Sequence, residues 1–317
     1  MSDKINLRKA AVIGCGFVGS ATAYSIMQSG LFAEMVLIDI DKNRAEGEAL
    51  DIAHGLPFAK PMKIYAGEYD DISDASVVIV TAGANQKPGE SRLDLAKKNT
   101  EIFKSIIPQI VSRNTEGILL IVSNPVDVLT YAAIKIGKVN PCRVIGSGTV
   151  LDSARLKYLL GEHLSVDSRS IHAFIIGEHG DSEIAVWSSA NVSGVELDDF
   201  CEMRGHFRHE ESMLKIAEQV KNSAYEIIEK KKATYYGIGM AVKRICEAII
   251  RDEKSILPVS SLLCGEYGIE GAALSLPAIV GKNGVETIVP ISLDNDELSA
   301  LHSSAETLKK TLSGLEF

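Results

Sequence analysis

Gly14-Cys15-Gly16-Phe17-Val18-Gly19 stands between an apolar run, residues 9–14, and a helical pattern, residues 17–29. Glycines at this spacing constrain the fold more than any other feature of the chain. The first permits a tight turn, the second lets backbone approach a pyrophosphate, and the third lets helix and strand pack closely. The phosphate then sits at the helix N-terminus, where free N–H groups and the helix dipole favour an anion. Asp39 ends the next apolar run, about 20 residues after the last glycine, where an acid meets the adenosine ribose. A glycine-rich turn with only a structural role does not require strand, helix and acid together. A carboxylate accepts from ribose hydroxyls and repels a 2′-phosphate, so NAD is expected over NADP.

The alternation continues through the first half. Residues 35–40, 76–82, 117–123 and 144–146 read as buried strands, and 17–29, 43–54, 93–112 and 126–136 as helices. Such alternation implies parallel strands with crossover helices, and continuous apolar strands imply a sheet covered on both faces. After about residue 148 long helical patterns appear at 152–163, 213–230 and 238–251. Two apolar runs, 272–280 and 285–289, flank Gly281-Lys282-Asn283-Gly284, a hairpin signal with Asn-Gly at the turn. A last amphipathic helix, 294–312, carries Leu298, Leu301, Ala305 and Leu308 on one stripe. The expected fold is α/β, a Rossmann-type doubly wound parallel sheet with a second α+β substrate domain. The boundaries are 1–148 for the NAD-binding domain and 149–317 for the catalytic domain, with a shared cleft.

Charge removes other classes. Lys plus Arg number 33 and Asp plus Glu 42, a net charge of −9 without a basic run. This disfavours nucleic acid and anionic membranes as partners. Residues 10–33 carry no charge and follow Arg8 and Lys9, as in a secretory signal. Their glycines and polar residues break any continuous apolar core, so the segment reads as nucleotide-binding and the protein as cytoplasmic. Five widely spaced cysteines without a Cys-x-x-Cys read as reduced thiols. His206 and His209 lie among acids; a solvated segment accounts for them, and no metal is expected.

Polar residues at element ends supply candidate chemistry. Asp152 and Arg155, three apart at a helix start, share a face, although surface ion pairs have the same spacing. His179 lies in Ile176-Gly177-Glu178-His179-Gly180-Asp181, where an apolar lead-in and two glycines suggest a strand ending in a tight turn. That geometry projects the ring into a cleft. Arg92 closes a Gly- and Pro-rich segment, 83–92, a candidate lid over the C-terminal strand ends where open parallel sheets bind ligands. Asn124 ends another strand, before Pro125.

Together these segments resemble the lactate/malate dehydrogenase family, and its bacterial lactate-type members, over essentially the whole chain. The resemblance rests on the glycine fingerprint, Val80-Thr81-Ala82-Gly83-Ala84, residues 86–95, 123–127, 146–155 and 177–181, and Ala233-Thr234-Tyr235-Tyr236-Gly237. It implies an NAD-dependent oxidoreductase that interconverts pyruvate and L-lactate. By the same resemblance His179 exchanges the proton, Asp152 holds its other ring nitrogen, Arg155 grips the substrate carboxylate and Arg92 polarises the carbonyl. Asn124 and Thr234 join the substrate set. The implied cofactor set is Gly14, Gly16, Phe17, Val18, Gly19, Asp39, Arg44, Tyr69, Gly83, Ala84, Val122, Asn124 and Ser147. Gln86 stands where malate-type relatives carry Arg, and a neutral side chain leaves a second carboxylate unpaired. Bacterial relatives bind fructose 1,6-bisphosphate between subunits of a tetramer; the matching positions are Lys157 and His172, with Lys where Arg is usual. The alternatives are a malate or other 2-hydroxy acid dehydrogenase, an NAD-dependent glycosidase, which needs a metal and a Cys/His site, and a non-catalytic NAD(H) sensor.

Overall fold

The computed structural model describes residues 5–85, 89–114, 116–207 and 209–317. Its first half supplies strands β1 (Asn6–Ile13), β2 (Glu34–Ile38), β3 (Lys63–Ala66), β4 (Ala75–Val80), β5 (Ile118–Ile121) and β6 (Val144–Gly146). They lie parallel in the order β3-β2-β1-β4-β5-β6, the doubly wound arrangement. The crossovers carry α1 (Phe17–Ser29), α2 (Lys42–His54), α3 (Arg92–Val111) and α4 (Val126–Gly137). Successive strand residues point to opposite faces, and each face is apolar because each is covered. Ala10, Val12, Met35, Leu37, Val77 and Ile79 join one core with Ile26 and Met27 of α1. Ala11, Ile13, Val36, Ile38, Val78 and Val80 join another with Phe103 and Ile107 of α3 and Leu129 of α4.

The second half contains α5 (Val150–Leu164), β7 (Ile171–Ile176), β8 (Ile184–Val192), β9 (Val195–Glu196) and α6 (Leu197–Met203). These are followed by α7 (His209–Lys231), α8 (Tyr236–Ile250), β10 (Ser255–Cys264), β11 (Glu270–Gly281), β12 (Gly284–Ile288) and α9 (Asn295–Leu312). The sheet does not end where the first half ends. β10 joins β6 antiparallel at Ser260 and Gly146, and β11 and β12 continue it to nine strands among the described residues. β7, β8 and β9 make a separate antiparallel sheet. α8 also crosses over: Val242, Ile245 and Ile249 pack into the same core as α1. The expected hairpin is β11–β12, closed by Gly281 opposite Gly284. Its two loop residues are Lys282 and Asn283, and Gly284 supplies the positive φ of 95° just after them.

Parallel strands place their C-terminal ends on one border. Gly14, Asp39, residues 81–84, residues 122–124 and Ser147 follow the ends of β1, β2, β4, β5 and β6 there. Among the described residues no helix is long and apolar enough to cross a membrane. All five cysteines are free.

Candidate active site

The glycine turn is built from contacts that exclude larger side chains at two of its positions. Gly14 adopts φ 98°, and a Cβ there would lie 2.5 Å from the Ala82 backbone nitrogen. A Cβ on Gly19 would lie 1.9 Å from the Gly14 carbonyl oxygen. Gly16 differs: a Cβ there meets nothing within 4 Å, and the residue caps α1 without any side-chain cap bond. The turn therefore presents an open approach to uncapped helix N–H groups, which fits a pyrophosphate. Thr81 Oγ1 donates to the Gly14 carbonyl at 2.6 Å and ties the turn to the end of β4.

Asp39 accepts from the Cys15 N–H at 2.6 Å and from the Asp41 N–H at 2.9 Å, which holds its carboxylate at the rim of the turn. Arg44 Nε donates to the Cys15 carbonyl at 2.7 Å. Phe17 is exposed and stacks on Tyr235, centroids 5.4 Å apart, so the segment between α7 and α8 that contains Thr234 reaches the fingerprint. Val18 packs half-buried on the first core. Val122 and Ser147 are buried, and their N–H groups donate to Val80 and Ile121. Tyr69 is half-buried against the core of Ile38 and Ile72, and burial raises its phenol.

Asn99, in α3, has a part that sequence reading missed. It is buried; its Oδ1 accepts from the Ala84 N–H at 2.8 Å, and its Nδ2 donates to the carbonyls of Ala84 at 3.2 Å and Asn124 at 2.6 Å. One side chain thus holds two loops of the expected nucleotide and substrate sets in register. Its signal in the sequence is a polar residue on the buried stripe of Leu95, Ala96 and Phe103.

The expected strand and tight turn around His179 are present. β7 ends at Ile176, and Gly177 and Gly180 adopt φ 88° and 121°. Three elements hold the turn by its backbone. Gly177 exchanges hydrogen bonds with Ser275 of β11 at 2.9 and 3.0 Å, and the Glu178 N–H donates to Ser304 Oγ of α9 at 2.9 Å. The His179 N–H donates to Asp127 Oδ2 of α4 at 2.7 Å. Asp127 is fully buried, and burial pushes its carboxyl up to about 6 against the hydrogen bonds that lower it. Sequence reading did not single out Asp127 as an anchor.

Asp152 lies in the first turn of α5 and is 1% exposed. Its Oδ2 is 2.6 Å from His179 Nδ1, and its Oδ1 accepts from Arg155 Nη1 at 2.7 Å. Burial alone would raise this carboxyl, but the charges of His179 and Arg155 and their hydrogen bonds outweigh it and hold it low. Burial likewise pushes the His179 imidazole down, and the Asp152 charge and hydrogen bond overturn that, lifting it to about 9. Asp152 is thus buried and Arg155 half-buried, and the two are not a surface pair. Glu183, also unanticipated, lies 4.0 Å from the same His179 nitrogen, and the ligand-type atoms of Asp152, His179 and Glu183 all fall within 4.8 Å.

Arg92 opens α3 and pairs with Glu178 at 3.1 Å and Asp181 at 3.4 Å, and its Nη2 is 3.4 Å from the His179 carbonyl. A Cβ at Gly180 would lie 3.0 Å from that same Nη2, so the glycine makes room for the guanidinium. Asp181 also accepts from the Tyr225 hydroxyl of α7 at 2.8 Å. Asn124 is exposed and Thr234 half-buried, and neither side chain hydrogen-bonds to another of the described residues. Gln86 lies outside the described residues. Lys157 Nζ sits 5.9 Å from the Phe174 ring and is lowered by burial, while His172, two residues from Phe174 on β7, is exposed on the same strand face. His209 pairs with Asp198 at 3.3 Å, and the His206 ring lies 4.4 Å from that of His163.

The family model described as "lactate/malate dehydrogenase, NAD binding domain" matches residues 8–146, and that described as "lactate/malate dehydrogenase, alpha/beta C-terminal domain" matches 149–316. The chain is 52% identical to an L-lactate dehydrogenase of Acetivibrio thermocellus over 316 residues, 100% of this chain and 100% of the relative. It is 52% identical to L-lactate dehydrogenase 1 of Clostridium acetobutylicum over 307 residues, 97% of this chain and 98% of the relative. Its fold superposes with a TM-score of 0.93 on the ligand-bound minor L-lactate dehydrogenase of Enterococcus mundtii. That structure is 44% identical, with 96% of this chain and 98% of that one covered. A lactate dehydrogenase from a Medee basin deep-sea metagenome library gives 0.93 at 48% identity, covering 97% and 98%.

Proposed function

The chain belongs to the lactate/malate dehydrogenase family, and from that premise we propose that it interconverts pyruvate and L-lactate with NAD(H), using the side chains gathered on Asp152. The observation that carries the mechanism is the buried carboxylate that binds His179 on one oxygen and Arg155 on the other. With Nδ1 engaged by Asp152, the remaining ring nitrogen, Nε2, is the one that gives a proton to the carbonyl oxygen or takes it from the alcohol. NADH, when bound, supplies the hydride for the carbonyl carbon.

Residues of the chain do the rest. Gly16 and the start of α1 receive the pyrophosphate, and Asp39 accepts from the adenosine ribose. Arg155 offers a two-point fork to the substrate carboxylate. Arg92 leaves Glu178 and Asp181 to face the carbonyl oxygen as negative charge develops there. Asn124 and Thr234 border the substrate. Gln86 is neutral, which favours a substrate with a methyl group over one with a second carboxylate.

Regulation and assembly belong to the same proposal. Lys157 and His172 receive fructose 1,6-bisphosphate in a cytoplasmic homotetramer. The test is NADH oxidation with pyruvate and oxaloacetate in parallel, each with and without the bisphosphate. A higher kcat/KM for pyruvate supports the reading, and a higher one for oxaloacetate rejects it. No response to the bisphosphate at sub-saturating pyruvate removes Lys157 and His172 from the proposal.

A further inference from the structure

Resting on the reading above, we infer that Glu183 is a positioning residue of the acid–base centre: its buried carboxylate, facing the same imidazole nitrogen as Asp152, holds the proton on His179. Its side chain is 5% exposed and stands 4.0 Å from His179 Nδ1, against 2.6 Å for Asp152. It is too far to take the hydrogen bond and near enough for its charge to be felt. Among the described residues the one hydrogen bond that its carboxylate accepts comes from the Gly180 N–H at 3.4 Å, near the long limit. A buried carboxylate held so weakly makes a poor structural element. The charge it can answer to is the imidazolium.

Charged and titratable groups face Glu183 and its His179 neighbour from several elements. α5 contributes Asp152 and Arg155, α4 contributes Asp127, α3 contributes Arg92 and α7 contributes Tyr225, with Glu178 and Asp181 in its own turn. Burial, and then the charge of Asp152, push Glu183 up to about 7. Its negative charge therefore grows between neutral pH and the range in which His179, at about 9, would release its proton. The charge strengthens as the proton becomes easier to lose. In pyruvate reduction this extends activity to higher pH; in lactate oxidation it delays the appearance of the neutral base.

Glu183→Gln keeps the shape and removes the charge. The His179 imidazole titration followed by NMR is expected to move down by roughly 1 pH unit. The alkaline limb of pyruvate reduction and the acid limb of lactate oxidation should move down with it. Glu183→Asp, with the charge on a shorter arm, should recover part of the shift. An imidazole midpoint unchanged in Glu183→Gln overturns the inference even if pyruvate turns over normally. Were Glu183→Gln not to fold, Glu183→Ala, which also removes the charge, would take its place, and an unchanged midpoint there would have the same force. If the wild-type protein fails to reduce pyruvate, the proposed function falls, and the imidazole titration still decides the role of Glu183.

Discussion

Asp152 answers to two cations from inside the protein, and each consequence can be measured on a single side chain. In the mechanism proposed above His179 carries the transferable proton, so His179→Ala is expected to lose turnover by about 10²–10⁴-fold. NADH binding, followed by fluorescence titration, should persist because the nucleotide set lies on other strands. Near-normal turnover would remove His179 from the chemistry. The imidazole is lifted to about 9, so pyruvate reduction, which needs the protonated ring, should hold through neutral pH and fall as pH rises through that value. Lactate oxidation, which needs the neutral ring, should rise over the same interval; parallel profiles in the two directions would contradict the assignment. Arg155→Lys substitutes a point charge for a fork and is expected to raise the KM for pyruvate more than it lowers kcat. An unchanged KM would take Arg155 out of the site.

At the scale of elements, α3 joins the two ligand sets through Asn99. Asn99→Ala would leave the Ala84 N–H and the Asn124 carbonyl without their partner, at a cost of about 1–3 kcal/mol. The KM for NADH should rise several-fold with a modest loss in Tm; a KM equal to wild type would show that the loops keep their places unaided. Elements with strong periodicity were legible in the sequence. α1 spans the expected residues, and the cores of β1, β2, β4 and β5 follow the expected apolar runs. β10 was not legible because Pro258, Ser260 and Ser261 interrupt its apolar pattern, though Ser260 is fully buried. Proline in a run argues against a strand, but here the run lies between β6 and β11 and is held by neighbours far along the chain. β3 is four residues long, at the sheet edge, with no fully buried side chain. In the site, the proximity of His179 to Asp152 was implied by family resemblance. Glu183 and Asp127 carried no comparable mark, because their meaning is a distance across elements and not a spacing along one.

On the scale of the whole molecule, the two halves are interleaved. α8 covers one face of the first half's sheet, and β10 closes its border at Ser260 and Gly146. The turn that carries His179 is held by Ser275 of β11, Ser304 of α9 and Asp127 of α4, so one histidine is located by both halves at once. A polypeptide cut after residue 148 would leave β6 with naked backbone donors and acceptors and the α1 face without its lid of apolar side chains. Expressed alone, that piece is expected to aggregate, as sedimentation would reveal, whereas the uncut chain stays dispersed. A monodisperse, NADH-binding piece would refute this. The seam at Gly146 thus makes the nucleotide-binding half a poor module for grafting: whatever replaces the second half must also bring a strand to finish the sheet.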